Sequence, residues 1–335
     1  MRHDQTMLRD YLVADVEDPR INAQSILTRH FLIDALTEGR FGALMEQELR
    51  FSVAMNWLLE FTRAETLPED YAAVRHALER GADNAEGIAI PGFARALFRT
   101  LPVEADGVTI PNFFSAFLER AATQEEPARL DLAMLSLFER AWSSVLEGLT
   151  APGLSAIEPA CGSANDFRFL HSFGIDRWLD YTGFDLCEAN IANARTMFPG
   201  ARFLVGNVFA IPAADKSCDL CFAHDLFEHL SPAGFERAIA EVCRVTCHAL
   251  CLGFFNMHEE ADHIVRPVDD YFWNTLSLAR TRALLEHHGF EVETIHLDTF
   301  LKWRLACDRT HNPNAYTLLC RAQNPSGPAG AAAAS

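Results

Sequence analysis

A mostly parallel, doubly wound α/β sheet of seven strands behind an N-terminal helical domain is the fold this 335-residue sequence predicts. Three observations predict it. Before residue 150, apolar residues recur three and four apart, the period of a helix. From Leu154 onward short apolar runs alternate with helical segments, as in a parallel sheet covered on both faces. Between the first run and its helix stands a turn of small residues, Pro159-Ala-Cys-Gly-Ser-Ala164, which lets the backbone approach a ligand at a helix N-terminus.

The helices come first. Ile21 to Leu36 is one. Phe41 to Phe61 is a second, with Phe41, Leu44, Met45, Leu49, Val53, Trp57 and Phe61 forming a broad apolar stripe. Pro68 to Arg80 fits a third, stopped by Gly81. Gly87 to Pro111 reads as loop around a short helix at Gly92 to Arg99. Leu132 to Leu149 repeats apolar residues at Leu135, Phe138, Trp142, Val145 and Leu149 and leads directly into the first strand, so it is expected at the sheet edge.

Strands are expected near 154–158, 179–184, 202–206, 218–224, 247–255, 291–297 and 315–321, with a long hydrophilic connection between the last two. The domains are then 1–148, helical, as a cap, substrate or dimerisation domain; 149–323, the sheet domain; and 324–335, a disordered tail of low complexity.

In an open parallel sheet ligands sit beyond the carboxyl ends of the strands. Glu158, Asp185, Asn207 and the segment Ala223 to Phe227 all fall at such ends. A strand, a tight turn, a helix and a second strand closing on an acid form a nucleoside-binding βαβ unit of Rossmann-like type. A dinucleotide would want a third glycine for its pyrophosphate, and Ala160, Gly162 and Ala164 do not supply it.

Here the sequence resembles the class I S-adenosylmethionine-dependent methyltransferases of small-molecule type. Their first motif, E-x-G-x-G-x-G, stands as Glu158-Pro-Ala160-Cys-Gly162-Ser-Ala164. Asp185 matches the family's ribose-binding acid, and Phe203-Leu-Val-Gly-Asn207-Val-Phe the segment whose Asp or Asn meets the adenine amino group. Cys218 to Leu230 matches the fourth strand and its loop; the four motifs span roughly Leu149 to Arg321. The resemblance implies S-adenosyl-L-methionine as cofactor, held by Glu158, Ala160, Cys161, Gly162, Ser163, Asp166, Asp185, Leu186, Asn207, Val208 and His224. Glu158 would take the methionine ammonium, the amides around Cys161 to Ser163 its carboxylate, and Asp185 the ribose hydroxyls. Alanine suits a tight turn only at negative φ, so the loop is expected to differ somewhat from a glycine loop.

The implied reaction is methyl transfer to an O or N nucleophile of a small molecule, a specialised metabolite by the character of its cap. His229, after the fourth strand, is the candidate general base because an imidazole titrates near neutrality. His229, Asn256, His258, Tyr271 and Trp273 are the candidate substrate residues, mixing aromatic and polar groups as a pocket wall does. The alternatives are an NAD(P)-dependent oxidoreductase and a non-catalytic interaction protein that keeps the cofactor fold.

A formal charge of −18 with no basic run disfavours nucleic acid and anionic membranes as partners. No leader-like segment stands at Met1 to Asp10 and no apolar run reaches the ~20 residues of a membrane span, so a cytoplasmic location is expected. The nine cysteines read as reduced thiols. No metal site is expected. Cys218-x-x-Cys221 on a strand points its thiols to opposite faces, His258, Asp262 and His263 read as a solvated turn, and His30, Glu46, Glu48 and Glu60 lack the paired Glu-x-x-His of carboxylate bundles. A homodimer through the N-terminal helices is the expected assembly.

Overall fold

The computed structural model of the protein describes residues 18–63, 66–97, 104–105, 108–123, 135–150, 153–310 and 312–324. The tail expected after Asn324 and the segment Met1 to Asp10 lie outside the described residues.

Local signals start and stop the helices. In α1 (Ala23–Thr37), Asn22 Oδ1 accepts from the amides of Gln24 and Ser25 at 2.9 and 3.2 Å, satisfying two otherwise orphaned donors. After α2 (Gly42–Arg63), α3 (Pro68–Arg80) opens on a proline and closes on Gly81 at φ 68°. Then follow α4 (Gly92–Leu97), α5 (Ile110–Thr123) and α6 (Leu137–Glu147). Helix α5 starts where the loop expected over Gly87 to Pro111 ends, with no helix expected there. That proline lies in the first turn, where its missing N–H costs nothing, and Phe114, Phe117, Leu118 and Ala121 then make a buried helical stripe.

The sheet strands are β1 (Leu154–Pro159), β2 (Leu179–Asp185), β3 (Arg202–Val205), β4 (Cys218–Ala223), β5 (Thr246–Phe254), β6 (Phe290–His296) and β7 (Tyr316–Ala322). Their spatial order is β6-β7-β5-β4-β1-β2-β3. Only β7 runs antiparallel to its neighbours. The seven-stranded, doubly wound sheet expected from the sequence is therefore the observed one. Its order switches between β1 and β4, the place where such sheets open a crevice.

Helices α7 (Asn165–Ser172), α8 (Glu188–Met197), α9 (Pro232–Val245) and α10 (Leu278–His287) cover the sheet. A further helix, α11 (Leu297–Leu305), corrects the hydrophilic connection expected between the last strands. Leu297, Leu301 and Leu305 recur every four residues and are buried, so their stripe folds the segment although polar residues outnumber them.

Two cores result. The first joins the N-terminal helices to one sheet face, with Phe51, Phe138 and Trp142 in the same cluster as Ala156, Tyr181, Phe222 and Cys251. The second packs Phe235, Ile239 and Leu285 on the other face, against Ile157, Phe184 and Leu252. Helix α6 meets the segment before β2, where Arg177 donates to Ser143 Oγ at 3.1 Å.

A buried polar hub ties the helices together. Glu48 accepts from Arg29 Nη2 at 2.6 Å, from His30 Nε2 at 2.7 Å and from Trp142 Nε1 at 2.6 Å. Burial alone would raise its carboxyl, but Arg29 and His30 reverse this and hold it at about 2. Arg29 also donates to the Pro19 carbonyl at 2.6 Å and lies 4.0 Å over the Phe173 ring. Glu46 and Glu60 pair instead with Arg304 and Arg309 near α11.

Among the described residues no helix is long and apolar enough to cross a membrane. All nine cysteines are free.

Candidate cofactor cleft and acceptor wall

The turn after β1 is built from three left-handed residues, Ala160 at φ 59°, Gly162 at 54° and Ala164 at 66°. The expectation that the alanines would keep φ negative is corrected. Turning a buried strand into α7 within five residues demands these conformations, and alanine adopts them at a cost of about 1–2 kcal/mol each. Two of the amides expected to cradle a carboxylate are engaged elsewhere: Cys161 N–H donates to the Phe184 carbonyl at 3.1 Å and Gly162 N–H to Asp185 Oδ2 at 3.0 Å. Among the described residues the Ser163 amide makes no such bond.

Three acids converge on this turn. Glu158, 4% exposed, accepts a hydrogen bond from the Tyr181 hydroxyl. Gly183 makes this contact feasible, since a Cβ there would stand 2.5 Å from that hydroxyl. Burial first, then the charges of Asp166 and Asp185, drive the Glu158 carboxyl well above the usual range. Asp185 closes β2 and accepts from Gly162 N–H and from Cys187 N–H at 2.7 Å. The next side chain, Leu186, is 71% exposed, an apolar surface beside the acid.

Asp166, in the first turn of α7, meets His224 at the end of β4, with Oδ2 2.9 Å from Nδ1. Burial would push the imidazole down; the Asp166 charge and hydrogen bond outweigh it and hold His224 up at about 9. His224 is therefore an imidazolium at neutral pH, and its Nε2–H donates at 2.7 Å to Thr28 Oγ1 on α1. Thr28 Oγ1–H in turn donates a hydrogen bond to the Gln24 carbonyl at 3.2 Å. Gly253 makes room for the ring, because a Cβ there would collide with it. Thr28 is a site residue that sequence reasoning missed. It lies 196 residues from its partner, and nothing local marks it. Gln24, one turn earlier, donates to the carbonyls of Phe254 and Tyr316 at 3.1 and 3.0 Å, so α1 reaches the carboxyl end of β5.

At the far side of the crevice, Asn207 Oδ1 accepts from Phe209 N–H at 2.9 Å, leaving one lone pair for a ligand. The Val208 side chain is taken up by the second core, so a ligand could meet only its backbone.

Candidate substrate residues cluster around His229 as an aromatic cage. The His229 ring lies 5.4, 5.8 and 5.3 Å from the rings of Phe255, Tyr271 and Trp273. Its Nδ1–H donates to the Phe272 carbonyl at 3.1 Å, which leaves Nε2 as the basic nitrogen. Tyr271 and Trp273 are 44% and 42% exposed, on a hairpin facing solvent. Asn256 serves that scaffold: its Nδ2 donates to the Asn274 carbonyl at 2.9 Å and to Thr275 Oγ1 at 3.0 Å. Both Nδ2 hydrogens are thus engaged, so a contact to a ligand would fall to its Oδ1. His258 accepts from the Glu260 amide at 3.3 Å and keeps a buried Nε2 without a partner. Asp262 pairs with Arg280, and His263 accepts from the Ser277 amide at 2.8 Å, so His258, Asp262 and His263 do not share a ligand point. Beneath the cage Glu228 accepts from the amides of Phe255 and Asn256, while its Oε2 is buried and unpaired. Burial pushes this carboxyl up to about 8.

Residues 157–249 match the family model of the methyltransferase domain. A curated relative, the malonyl-[acyl-carrier protein] O-methyltransferase of Pectobacterium atrosepticum, is 24% identical over 135 residues, 40% of this chain and 50% of the relative. The chain thus spans about half the length of that relative. Similar solved structures include an S-adenosylmethionine-dependent methyltransferase from Mesorhizobium loti (15% identity, TM-score 0.40, 54% of this chain and 96% of that one). Another, from Methanosarcina mazei, shows 15% identity and a TM-score of 0.39 over 54% of this chain and 97% of its own. The magnesium protoporphyrin IX methyltransferase of Synechocystis PCC 6803 shows 16% identity and 0.36 over 54% and 75%.

The chain carries a methyltransferase domain over residues 157–249. Its cofactor is S-adenosylmethionine, and the site fits it: Glu158 is a buried acid with two acids near it, the His224 imidazolium offsets burial and those charges only in part, and an ammonium would add the counter-charge.

Proposed function

We propose that this chain transfers the methyl group of S-adenosylmethionine to an O or N nucleophile of a small molecule, a specialised metabolite by class. The observation that carries the reading is the convergence of Glu158, Asp166 and Asp185 on one left-handed turn at the carboxyl ends of β1 and β2. Glu158 takes the ammonium, the Ser163 amide the carboxylate, Asp185 the ribose and Leu186 the adenine face. The Asp166–His224–Thr28 relay fixes α1 against this wall. The bound cofactor supplies an activated methyl group. The protein's part is to seat the acceptor in line and keep water away.

His229 is the base in this proposal, since its tautomer is set by Phe272 and Nε2 stays free inside the cage. The helical domain, 1–148, acts as cap to the sheet domain, 149–323. A cavity of about 120 Å³ between them, lined by Asn22, Asn56, Trp57, Phe93, Leu301 and Arg309, is offered as the berth for the apolar body of the acceptor. The same reading has the protein work in the cytoplasm, as a dimer through its N-terminal helices, without nucleic acid; the charge of −18 supports the last point.

The test is turnover against a panel of phenols, carboxylic acids and amines, read as S-adenosylhomocysteine release. A phenol, acid or amine should be methylated, and His229→Gln should slow turnover by about 10²–10⁴-fold without changing cofactor affinity. Label appearing on RNA or protein but on no small molecule would overturn the proposal.

A further inference from the structure

At the end of the sheet opposite the cofactor cleft, β4 and β5 pair with a register shift. Cys218 stands opposite Thr246 and Leu220 opposite Ala249, so one β4 residue, Asp219, faces two β5 residues, Cys247 and His248. Successive strand residues ordinarily point to opposite faces, and this bulge is what turns both toward one point. Asp219 Oδ1 lies 3.1 Å from His248 Nδ1, His248 Nδ1 lies 3.1 Å from Cys247 Sγ, and Sγ lies 3.8 Å from Oδ1. With zinc–nitrogen and zinc–oxygen bonds of about 2.0–2.1 Å and a zinc–sulfur bond of about 2.3 Å, the edges of a tetrahedron run from about 3.3 to 3.6 Å. The three atoms therefore already approximate one face of such a tetrahedron.

The surrounding groups strengthen the match. Asp219 Oδ2 accepts from Ser155 N–H at 2.8 Å and Ser155 Oγ–H at 2.7 Å, which orients the carboxylate and leaves Oδ1 turned to the cluster. Supports of this kind orient ligands at protein metal sites. Cys247 is buried, whereas Asp219 and His248 are half-buried, so water can reach a fourth position.

We propose that Asp219, Cys247 and His248 form a zinc-binding site at the amino ends of β4 and β5, separate from the cofactor cleft. Binding deprotonates the Cys247 thiol, the proton passing to solvent as the sulfur–zinc bond forms. The ion clamps the two central strands together at the bulge.

The test uses the full chain, freed of metal by a chelator and titrated with Zn²⁺ alone, then with Co²⁺ as a spectroscopic substitute. One equivalent should bind, with proton release, and cobalt should give a thiolate-to-metal charge-transfer band. Cys247→Ser should abolish the band. His248→Ala, at a half-exposed position where folding is least at risk, should weaken Zn²⁺ by at least about tenfold, and Ser155→Ala by roughly 10–100-fold through the lost support. S-adenosylhomocysteine should bind equally well to all variants, which certifies their fold; if it binds none of the proteins including the parent, an unchanged circular dichroism spectrum and melting curve serve instead. Zinc bound equally by the parent and the His248→Ala variant, or a cobalt spectrum without the thiolate band, would overturn the site and leave Asp219 and His248 as an ion pair.

Discussion

Two buried carboxylates, Glu48 among the helices and Glu158 beneath the cofactor turn, share a chemistry and differ in company. Glu48 is fully exposed to partners of the right sign: a guanidinium, an imidazole and an indole N–H all donate to it. Its carboxyl falls to about 2. Glu158 has one neutral donor, the Tyr181 hydroxyl, and two acids nearby; His224, bonded to Asp166, offsets them only in part, and the carboxyl rises. A buried acid whose cations bond it directly is holding structure. A buried acid left short of counter-charge beside a crevice is a candidate ligand group, since a cationic ligand would draw it into its ionised form.

The largest effect that could break this comparison lies in the helical hub. Glu48→Gln should destabilise the protein by about 3–5 kcal/mol in denaturant unfolding, since Arg29 is left buried without its counter-charge. A loss below about 1 kcal/mol would show that the hub is not structural. The pH dependence has a definite sign: a depressed carboxyl gives stability that is full above 4.5 and disappears as pH falls toward about 2. Acid unfolding of the parent should include this component, and Glu48→Gln should lack it.

The next effect is on the ligand. Asp185→Ala should weaken S-adenosylhomocysteine binding by at least about tenfold, in line with ~1.5–3 kcal/mol for a hydrogen bond to a charged group, with the melting temperature little changed. Unchanged affinity removes Asp185 from the site.

The comparison is sharpened by pH at the cleft. For Glu158, a raised carboxyl gives stability that is full below 4.5 and is lost as pH rises through its folded-state value. A cationic ligand prefers the ionised acid, so cofactor affinity should climb over the same range in which ligand-free stability declines. Glu158→Gln should flatten both trends; parallel trends in the parent would contradict the assignment. Glu228, pushed up to about 8, tests the stability half alone. Glu228→Gln should gain on the parent as pH rises from 4.5 to 8, because its amide has no proton to lose where the buried carboxyl resists ionising.

The smallest effect concerns the turn. Ala160→Gly should be neutral or stabilising by up to about 1 kcal/mol, because relief of the left-handed strain is partly offset by added freedom in the unfolded chain.

These contrasts also explain what the sequence made legible. The seven strands can be read because each is a short apolar run, and the candidate residues Glu158, Asp185 and His224 stand at strand carboxyl ends. Asp166 is legible as a candidate because it opens the helix after the turn. Their mutual relations are not: the pairing of Asp166 with His224 and the reach of Thr28 are long-range contacts without a local signature. In the sequence His30 and Glu48 stand with Glu46 and Glu60 as a set that lacks the paired Glu-x-x-His of carboxylate metal bundles. The structure adds Arg29 and Trp142 to the Glu48 carboxylate and turns its pair with His30 into a hub. Helix α11 went unseen because three leucines in a polar segment are a thin stripe, and α5 because a proline that starts a helix looks like one that ends it.

The cleft is the centre of the account, and calorimetric titration of the purified protein with S-adenosylhomocysteine, with NAD in parallel, tests it most directly. The former should bind in the micromolar range and the latter not at all. Binding of NAD, or of neither, would contradict it, since the buried acids at the turn would then have some other counter-charge to find.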